Sequence, residues 1–242
     1  MDTLLLRLAG PMQAWGTQSR FLERDTGLEP SKSGVLGLLC AALGRPRPEP
    51  LDDLATLLTG VRVDREGTIE RDYHTALKVA KASNQADDKG SWATVVSVRY
   101  YLADADFLVG LEGDDRALLA RLDAALAAPR WPLALGRKAF PPGVPVRLPD
   151  GGGLRPGVGL EEALRGEPWR PRAGEPPWRR DRPERLRAVL ETTAGRGDAR
   201  RMDQPAPGSS FADRRFLPRA VATAFWDLGT PGGVPIEEAT DG

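Results

Sequence analysis

The sequence predicts an α+β fold in which a ferredoxin-like sheet carries its helices on one face. Alternating apolar residues near the start predict a strand, and two later segments with helical spacing lie between strand-like segments. The resulting order is strand, helix, strands, helix, strand. At 242 residues the chain is long enough for one such domain and a small β-rich C-terminal appendage.

The first strand and the first helix are predicted from periodicity and capping residues. Residues 3–9 alternate in polarity and predict a half-buried strand. Its two faces carry Leu4, Leu6 and Leu8 on one side and Leu5 and Arg7 on the other. A helix follows, which either Ser31 or Ser33 can cap and which Gly44 ends.

The rest of the main domain continues this alternation. Strands are predicted at residues 61–66, 95–102 and 107–111. Asp114 is then predicted to cap a second helix, in which leucines recur every four residues until Pro129 ends it.

Composition divides the chain near residue 145. Residues 141–183 contain ten prolines and eight glycines, a density that disfavours regular structure. The predicted parts are a main domain at 1–145 with an insertion at about 75–92, a Pro/Gly/Arg-rich connector at 146–183, a small β-rich region at 184–228 and a flexible tail at 229–242. Strands at 185–193 and 216–228 could pair into a small appended sheet.

The composition also excludes several kinds of site. A single cysteine, Cys40, and a single histidine, His74, exclude an internal disulfide and a Cys/His zinc cluster, and we expect no metal or other cofactor. Cys40 lies in an apolar segment and is interpreted as an inert core thiol rather than a nucleophile. The chain has neither a membrane-spanning apolar run nor a basic start typical of a signal peptide. We therefore expect a cytoplasmic protein.

Net charge restricts the kind of polyanion binding that is possible. The formal net charge is zero, which argues against indiscriminate binding through uniform positive charge but leaves local patches possible. Most of the 34 basic residues are arginines. The five lysines are Lys32, Lys78, Lys81, Lys89 and Lys138.

Two segments in the first half place polar groups at the ends of predicted elements. Gln13 and Trp15 directly follow the first strand, where rigid scaffolds display functional residues. Trp15 either plugs the edge of the core or, with Gln13, lies at an RNA or subunit contact. At the helix start, Lys32 and Ser33 join unpaired N–H groups and the positive end of the helix dipole, which favour phosphate binding. Ordinary serine capping is the alternative.

Two later segments combine lysines or glycine with polar surroundings. The insertion at 75–92 is too long for an ordinary hairpin turn and is either a protruding hairpin that contacts an RNA backbone or a solvated loop. It contains Lys78, Lys81 and Lys89. Further on, Gly136 permits close backbone approach while Arg137 and Lys138 meet phosphate, although a plain turn is also possible.

Four motifs in order resemble the CasD family, which belongs to the type I-E CRISPR Cascade complexes and the repeat-associated mysterious protein superfamily. They are Leu-Arg-Leu-Ala-Gly-Pro-Met-Gln-Ala-Trp-Gly at 6–16, Ser-Lys-Ser-Gly at 31–34, Asp-Tyr-His-Thr at 72–75 and Pro-Arg-Trp-Pro-Leu-Ala-Leu-Gly-Arg-Lys at 129–138. The resemblance covers roughly the first 145 residues, and the segment at 211–215 is also similar. The chain departs from the family at 151–183.

The resemblance implies an RRM-like, ferredoxin-like domain whose thumb hairpin, at 75–92, grips the 5′ handle of CRISPR RNA and caps the backbone filament. It implies that Gly136, Arg137 and Lys138 form the family's glycine-rich loop and that Lys32 and Ser33 meet the handle backbone. The implied partners are the CRISPR RNA 5′ handle, the Cascade backbone subunit, the Cascade large subunit and, through the assembled complex, target DNA in antiviral defence. No membrane is implied.

Two other classes of function remain open. Tyr73, His74 and Lys78 could support RNA cleavage, which requires a base and cationic stabilisation. The resemblance instead implies a non-catalytic RNA-binding subunit, with Tyr73 and His74 contacting RNA and a separate endoribonuclease processing it. A protein adaptor that contacts RNA only incidentally is the third class, since Trp, Tyr and Arg concentrate in protein interfaces.

Overall fold

The computed structural model describes residues 1–17, 22–80, 92–149, 151–170, 183–193 and 195–236. Within these ranges the strands are β1 (Asp2–Ala9), β2 (Met12–Gln13), β3 (Glu23–Arg24), β4 (Leu58–Arg65), β5 (Thr68–Ala80), β6 (Trp92–Ala103), β7 (Asp106–Gly113), β8 (Leu154–Arg155), β9 (Arg185–Thr192), β10 (Ala199–Pro205) and β11 (Phe216–Asp227). The helices are α1 (Lys32–Leu43), α2 (Asp52–Ala55), α3 (Arg116–Ala127) and α4 (Leu160–Gly166).

The main sheet is antiparallel and, within the described ranges, has the strand order β10-β11-β9-β4-β7-β1-β8. The mixed helix and strand composition predicted from the sequence is thus confirmed. Along the chain, α1 connects β1 with β4 and α3 connects β7 with β8. None of the described helices has both the length and the apolar character that crossing a membrane requires.

The central strands are buried on both faces, so the half-buried first strand predicted from the sequence is wrong. Leu4, Leu6 and Leu8 lie in the core cluster that includes residues of α1 and α3. Leu5, on the opposite face, lies in a second cluster with residues of α4. The alternation of apolar and polar residues suggested a solvent-exposed face because it includes Arg7. Arg7 can lie near the core because it forms an ion pair with Asp106, at 2.6 Å between Nη2 and Oδ2.

Helix α4 packs closely on the sheet because glycine lies beneath it. A Cβ at Gly110 would be 2.6 Å from Leu160 Cδ1, and one at Gly60 would be 2.8 Å from Leu164 Cδ1. Part of the predicted irregular connector at 146–183 is therefore regular: α4 covers the second core face, and β8 is a strand at the edge of the main sheet. The sequence did not reveal this helix and strand because both are short and lie between many prolines and glycines.

The C-terminal strands β9 and β11 pair with each other, as the sequence predicts, but they extend the main sheet and do not form a separate appended sheet. Strand β9 pairs with β4, from Gly60 opposite Leu190 to Val63 opposite Arg187. Beyond the last strand, Val234 of the predicted flexible tail is buried and its N–H donates to the Asp227 carbonyl at 2.8 Å. Residues 171–182 and 237–242 lie outside the described ranges.

A second sheet contains the long hairpin of β5 and β6, which pair from Thr68 opposite Ala103 to Ala80 opposite Trp92. The sequence places the insertion at 75–92, whereas pairing continues into it at both ends. Strand β2 and strand β3 pair with β6 on the other side. Lys81 and Lys89 lie outside the described ranges.

The caps of the two long helices test the sequence predictions directly. Ser31 caps α1 by accepting from the Gly34 N–H, and Gly44 ends this helix with a φ of 69°. Asp115 caps α3, with its Oδ1 2.9 Å from the Leu118 nitrogen. The prediction of Asp114 is wrong by one residue, and Asp114 instead lies 3.7 Å from the N-terminal amine.

Candidate nucleic-acid interface

A cavity of about 900 Å³ lies beside one face of helix α1 and is here called the α1 groove. The segment after β2, the loop after α3 and the strands β10 and β11 with their connection supply its other walls. Six cationic residues line it: Arg24, Arg45, Arg47, Arg137, Lys138 and Arg214. Among its described lining residues, Asp25 is the one carboxylate. Arg45 is already ion-paired with Asp53, at 2.6 Å, and with Glu49, at 3.1 Å. The other five cations give the groove local positive charge in a chain with no net charge.

Helix α1 turns small residues towards the groove and leucines towards the core. Gly34, Gly37 and Ala41 line the groove, together with Ser33. The core face carries Val35, Leu36 and Leu39. The αL conformation of Gly44 then redirects the chain, so that Arg45 and Arg47 return along the groove.

The loop after α3 places Gly136, Arg137 and Lys138 at the groove. Gly136 has a φ of 85°, and a Cβ there would overlap the Ala14 carbonyl oxygen. Arg137 Nη2 donates to the Arg24 carbonyl oxygen at 3.2 Å, while Lys138 is exposed. Glycine is thus necessary for the close approach that aligns this loop with the opposite wall.

Arg137 occupies an electrostatically unfavourable position. Burial lowers the pKa of its guanidinium, and the positive charges of Arg99 and Arg24 lower it further. The side chain also lies over the Phe140 ring, at 5.7 Å from Cζ to the ring centroid. An anion in the groove would relieve the repulsion among these guanidinium groups.

Gln13 and Trp15 form a buried structural pair, which decides between the two interpretations of this segment. Gln13 Nε2 donates to the carbonyl oxygens of Leu8, at 2.9 Å, and Ala105, at 2.8 Å. Its Oε1 accepts from Trp15 Nε1 at 3.1 Å. Because Gln13 is 0% and Trp15 2% exposed, their polar groups are inaccessible to RNA, and the predicted direct RNA contact through these groups is wrong. Trp15 nevertheless lines the groove, and Gln13 holds its indole nitrogen.

Lys32 also differs from its prediction, because its side chain points away from the groove. It is 1% exposed, and Nζ lies 3.1 Å from Glu191 Oε2. Burial lowers the pKa of this ammonium, and the charge of Glu191 opposes that shift. Asp203 accepts from the Lys32 backbone N–H at 2.7 Å and from Arg219 Nε at 2.7 Å. Lys32 therefore belongs to a buried ion network, whereas its neighbour Ser33 faces the groove.

Of the residues predicted to contact RNA at the hairpin, Tyr73, His74 and Lys78 lie on β5, apart from the residues that line the α1 groove. Tyr73 is 71% exposed, and the nearby Leu77 is equally exposed. His74 Nδ1 lies 3.5 Å from Asp72 Oδ2 on the exposed hairpin. Lys78 has a φ of 52° where the register with β6 shifts. The hairpin thus presents mixed aromatic, apolar and cationic groups to its surroundings.

Several groove residues were not identified from the sequence. Arg45 and Arg47 follow the glycine that ends α1, a position that suggests only a turn until the chain reversal is known. Trp131 lies within the motif at 129–138, and Phe211 and Arg214 lie within the similar segment at 211–215. The motifs therefore contained the signal, although periodicity gave no reason to place their side chains at one cavity.

Comparisons with known proteins are consistent across sequence and structure. A family model described as "CRISPR-associated protein (Cas_Cas5)" matches residues 3–222. The "CRISPR system Cascade subunit CasD" of Escherichia coli (strain K12) is 36% identical over 162 residues, which cover 57% of this chain and 66% of that protein. The match thus spans just under two thirds of that relative's length.

Two solved structures are also similar over nearly the whole chain. One, described as "Crystal structure of Cas protein", is 45% identical with a TM-score of 0.72, covering 97% of this chain and 98% of that one. The other, from a "CRISPR RNA-guided surveillance complex", is 34% identical with a TM-score of 0.68, covering 92% of this chain and 89% of that one.

Proposed function

This chain belongs to the family of CRISPR-associated proteins described as Cas_Cas5, and from that membership we propose that it is a CRISPR RNA-binding subunit of a Cascade complex in antiviral defence. The observation that carries the proposal is the α1 groove, whose described lining has one carboxylate and five cations besides Arg45, which is ion-paired with Asp53 and Glu49. RNA-binding sites combine such cations with accessible backbone and hydroxyl groups that hold phosphate.

The bound segment is the 5′ handle of CRISPR RNA. Ser33, Arg137 and Lys138 contact its backbone from two sides of the groove, while Gly136 sets the separation of the walls. Lys32 has no direct part in this contact, because its ammonium is bound to Glu191. A handle held along its phosphates is positioned for the rest of the complex without the need for a uniformly basic protein.

The scaffold for this site is a ferredoxin-like unit. In support, β8, β1, β7 and β4 are consecutive in the sheet, and each adjacent pair is antiparallel. With helices after the first and third of these strands in chain order, this is the split β-α-β arrangement repeated twice. The hairpin of β5 and β6 is the thumb, extending from the second sheet.

The thumb provides contacts to the Cascade backbone and large subunits. Three apolar or aromatic side chains on β5, Ile69, Tyr73 and Leu77, are 52%, 71% and 71% exposed. Exposed aromatic and apolar groups on one protruding element are typical of a protein interface. Target DNA is then reached through the assembled complex and not through a separate site on this chain.

The subunit is non-catalytic. RNA cleavage would require a general base aligned with a reactive 2′-OH and cations around the scissile phosphate. His74 is the sole histidine, and it stands on the exposed hairpin beside Asp72 and apart from the cationic groove. Wild-type protein mixed with repeat RNA, without any other nuclease, should yield no handle-defining cut, and a cut abolished by His74→Ala would overturn this assignment.

Lys138→Ala tests the proposed handle binding. Its side chain is exposed, so the variant should retain the wild-type unfolding temperature. We expect weaker binding of a synthetic handle RNA and a salt dependence whose slope falls by about 0.7, because one phosphate contact to a single strand is lost. A fluorescence titration at several salt concentrations measures both quantities.

Arg196→Ala is the matched control, since Arg196 is an exposed cation in the connection between β9 and β10, outside the groove lining. It should bind the handle with wild-type affinity and slope. If Lys138→Ala and Arg196→Ala behaved alike, the groove would not be the handle site.

A further inference from the structure

Two parts of the α1 groove differ in chemistry. Phe211 and Trp131 lie beside the middle and the last turn of α1, at Gly37 and Ala41. The cation Arg137 instead lies against the opposite wall, at Arg24. We propose that the part formed by Trp131 and Phe211, here called the aromatic end, is a stacking site for one unpaired nucleobase of the bound RNA. This inference rests on the proposed function and adds base recognition to it.

Trp131 supplies an accessible ring on a fixed backbone. The side chain is 43% exposed, so its ring is open to a ligand in the groove. Its backbone N–H donates to the Ala41 carbonyl at 3.1 Å, and the preceding N–H, of Arg130, donates to Ala42 at 2.9 Å. The last turn of α1 therefore holds the backbone of Trp131 in place before any ligand arrives, which lowers the entropy cost of binding.

Phe211 is fixed against the middle of the same helix. Its carbonyl accepts from Arg47 Nη2 at 3.0 Å, and the following N–H, of Ala212, donates to the Arg47 carbonyl at 3.0 Å. A Cβ at Gly37 would lie 3.3 Å from Phe211 Cζ, so glycine lets the ring rest on the helix. Two pre-positioned aromatic residues from different segments thus share one cavity.

The charges around this end favour a nucleotide over an apolar peptide. Arg47 and Arg214 also line the groove, and both are close in the chain or by hydrogen bond to Phe211. Cations on either side of an aromatic surface match a strand that enters and leaves through its phosphates while one base stacks. A purely apolar segment would leave these guanidinium groups without counter-charges and would desolvate them.

The test uses the full chain and synthetic handle RNAs in which one nucleotide at a time lacks its base. We expect the wild-type protein to lose about 5- to 150-fold in affinity at one position, the range expected for stacking of one base. Trp131→Ala should lose a similar factor with the intact RNA and nothing further with that abasic RNA, because both changes remove the same contact. Trp131→Phe should retain most of the affinity.

Salt dependence separates this site from the phosphate contacts. Trp131→Ala should keep the wild-type salt slope, whereas Lys138→Ala should lower it. Phe225→Ala is the matched control, because Phe225 is 56% exposed on β11 and is not a groove residue. Its affinity for intact and abasic RNAs should equal that of the wild type.

Three results would overturn the inference and leave the proposed function standing. The first is that Trp131→Ala binds the intact handle normally. The second is that the variant and the wild type lose the same affinity at the critical abasic position. The third is that the Trp131→Ala chain binds RNA normally but loses a Cascade protein partner. The last result would assign the aromatic end to a protein interface. A wild-type chain that bound no handle RNA would instead reject both proposals.

Discussion

At the scale of single residues, Gly136 is a position where backbone conformation and space both demand glycine. Its φ is 85°, and an added Cβ would overlap a carbonyl oxygen of the facing wall. We expect Gly136→Ala to lower the free energy of unfolding by about 2 to 4 kcal/mol, because strain and steric overlap combine. Urea denaturation measures this change.

Gly157→Ala is the corresponding control, since Gly157 has a φ of 72° and no atom within 4 Å of an added Cβ. It should lower the free energy of unfolding by only about 1 kcal/mol, the cost of the left-handed conformation alone. Equal losses in the two variants would mean that the loop can move away from the opposite wall.

Cys40 is expected to react slowly as long as the protein is folded. Burial raises the pKa of its thiol from 9.0 to about 11. At pH 8 the native thiolate population, and hence the rate of alkylation by iodoacetamide, should be about 100-fold below that of the urea-unfolded chain. Mass spectrometry of timed samples measures this rate. Rapid labelling of the native chain would show that the groove wall opens.

The same pKa determines the sign of the pH dependence of stability. The native state holds the Cys40 proton more tightly than the unfolded state, whose thiol has a pKa near 9.0. The contribution of this group is therefore fully present below about pH 9 and is lost as the pH rises towards about 11. Cys40→Ser should reduce the fall in stability across that window.

Sequence patterns predicted which segments form the site better than they predicted where individual side chains point. Ser33 and Lys138 line the groove, where their predicted RNA contact is possible, but Lys32 faces a glutamate 159 residues further along the chain. Gln13 likewise satisfies two carbonyl groups that periodicity cannot reveal. Contacts between residues distant in sequence decide which way each polar side chain points.

At the scale of elements, the hairpin of β5 and β6 is separable from the core. Pairing is regular from Thr68 opposite Ala103 to Ala76 opposite Val95, where the register shifts. We expect that replacing residues 77–94 by an Asn-Gly turn leaves the unfolding temperature nearly unchanged, since β5 side chains are mostly exposed. The chain should however fail to copurify with the other Cascade subunits.

A variant with Leu77→Ser alone serves as the graded control, because it keeps the hairpin length and removes one exposed apolar group. It should weaken copurification less than the shortened hairpin does. Normal assembly of the shortened chain would contradict the thumb role, and its unfolding would show that the hairpin supports the core.

Element boundaries were predictable where a cap or a regular repeat marked them. Ser31 and Gly44 bound α1 as expected, and leucines every four residues located α3. Short elements were not predictable, since α4 has seven residues and β8 has two. These elements are stabilised by packing on the sheet and not by their own propensity.

At the scale of the whole molecule, the core has two layers, of which the second requires residues beyond 145. Leu5 and Leu108 pack with Leu164 of α4 and Leu186 of β9. A chain of residues 1–145 would expose one entire face of the central strands. We expect it to unfold without a cooperative transition and to bind a hydrophobic dye, whereas the full chain should unfold in one step.

A chain ending at residue 236 is the control for truncation, because it retains both core clusters. Its thermal transition should match that of the full chain. A cooperative transition in the 1–145 chain would support the independent domain boundary that composition suggests near residue 145.

The buried network around Lys32 also limits how such proteins can exchange parts during evolution or engineering. Its partners Glu191, Asp203 and Arg219 lie on the last three strands, while Lys32 begins the helix beneath the groove. Consider a chimaera whose C-terminal strands come from a relative without a carboxylate at position 191. Its buried Lys32 ammonium would lose its partner, which would lower the free energy of unfolding by about 3 to 5 kcal/mol. These four residues must therefore be inherited together for a graft to fold.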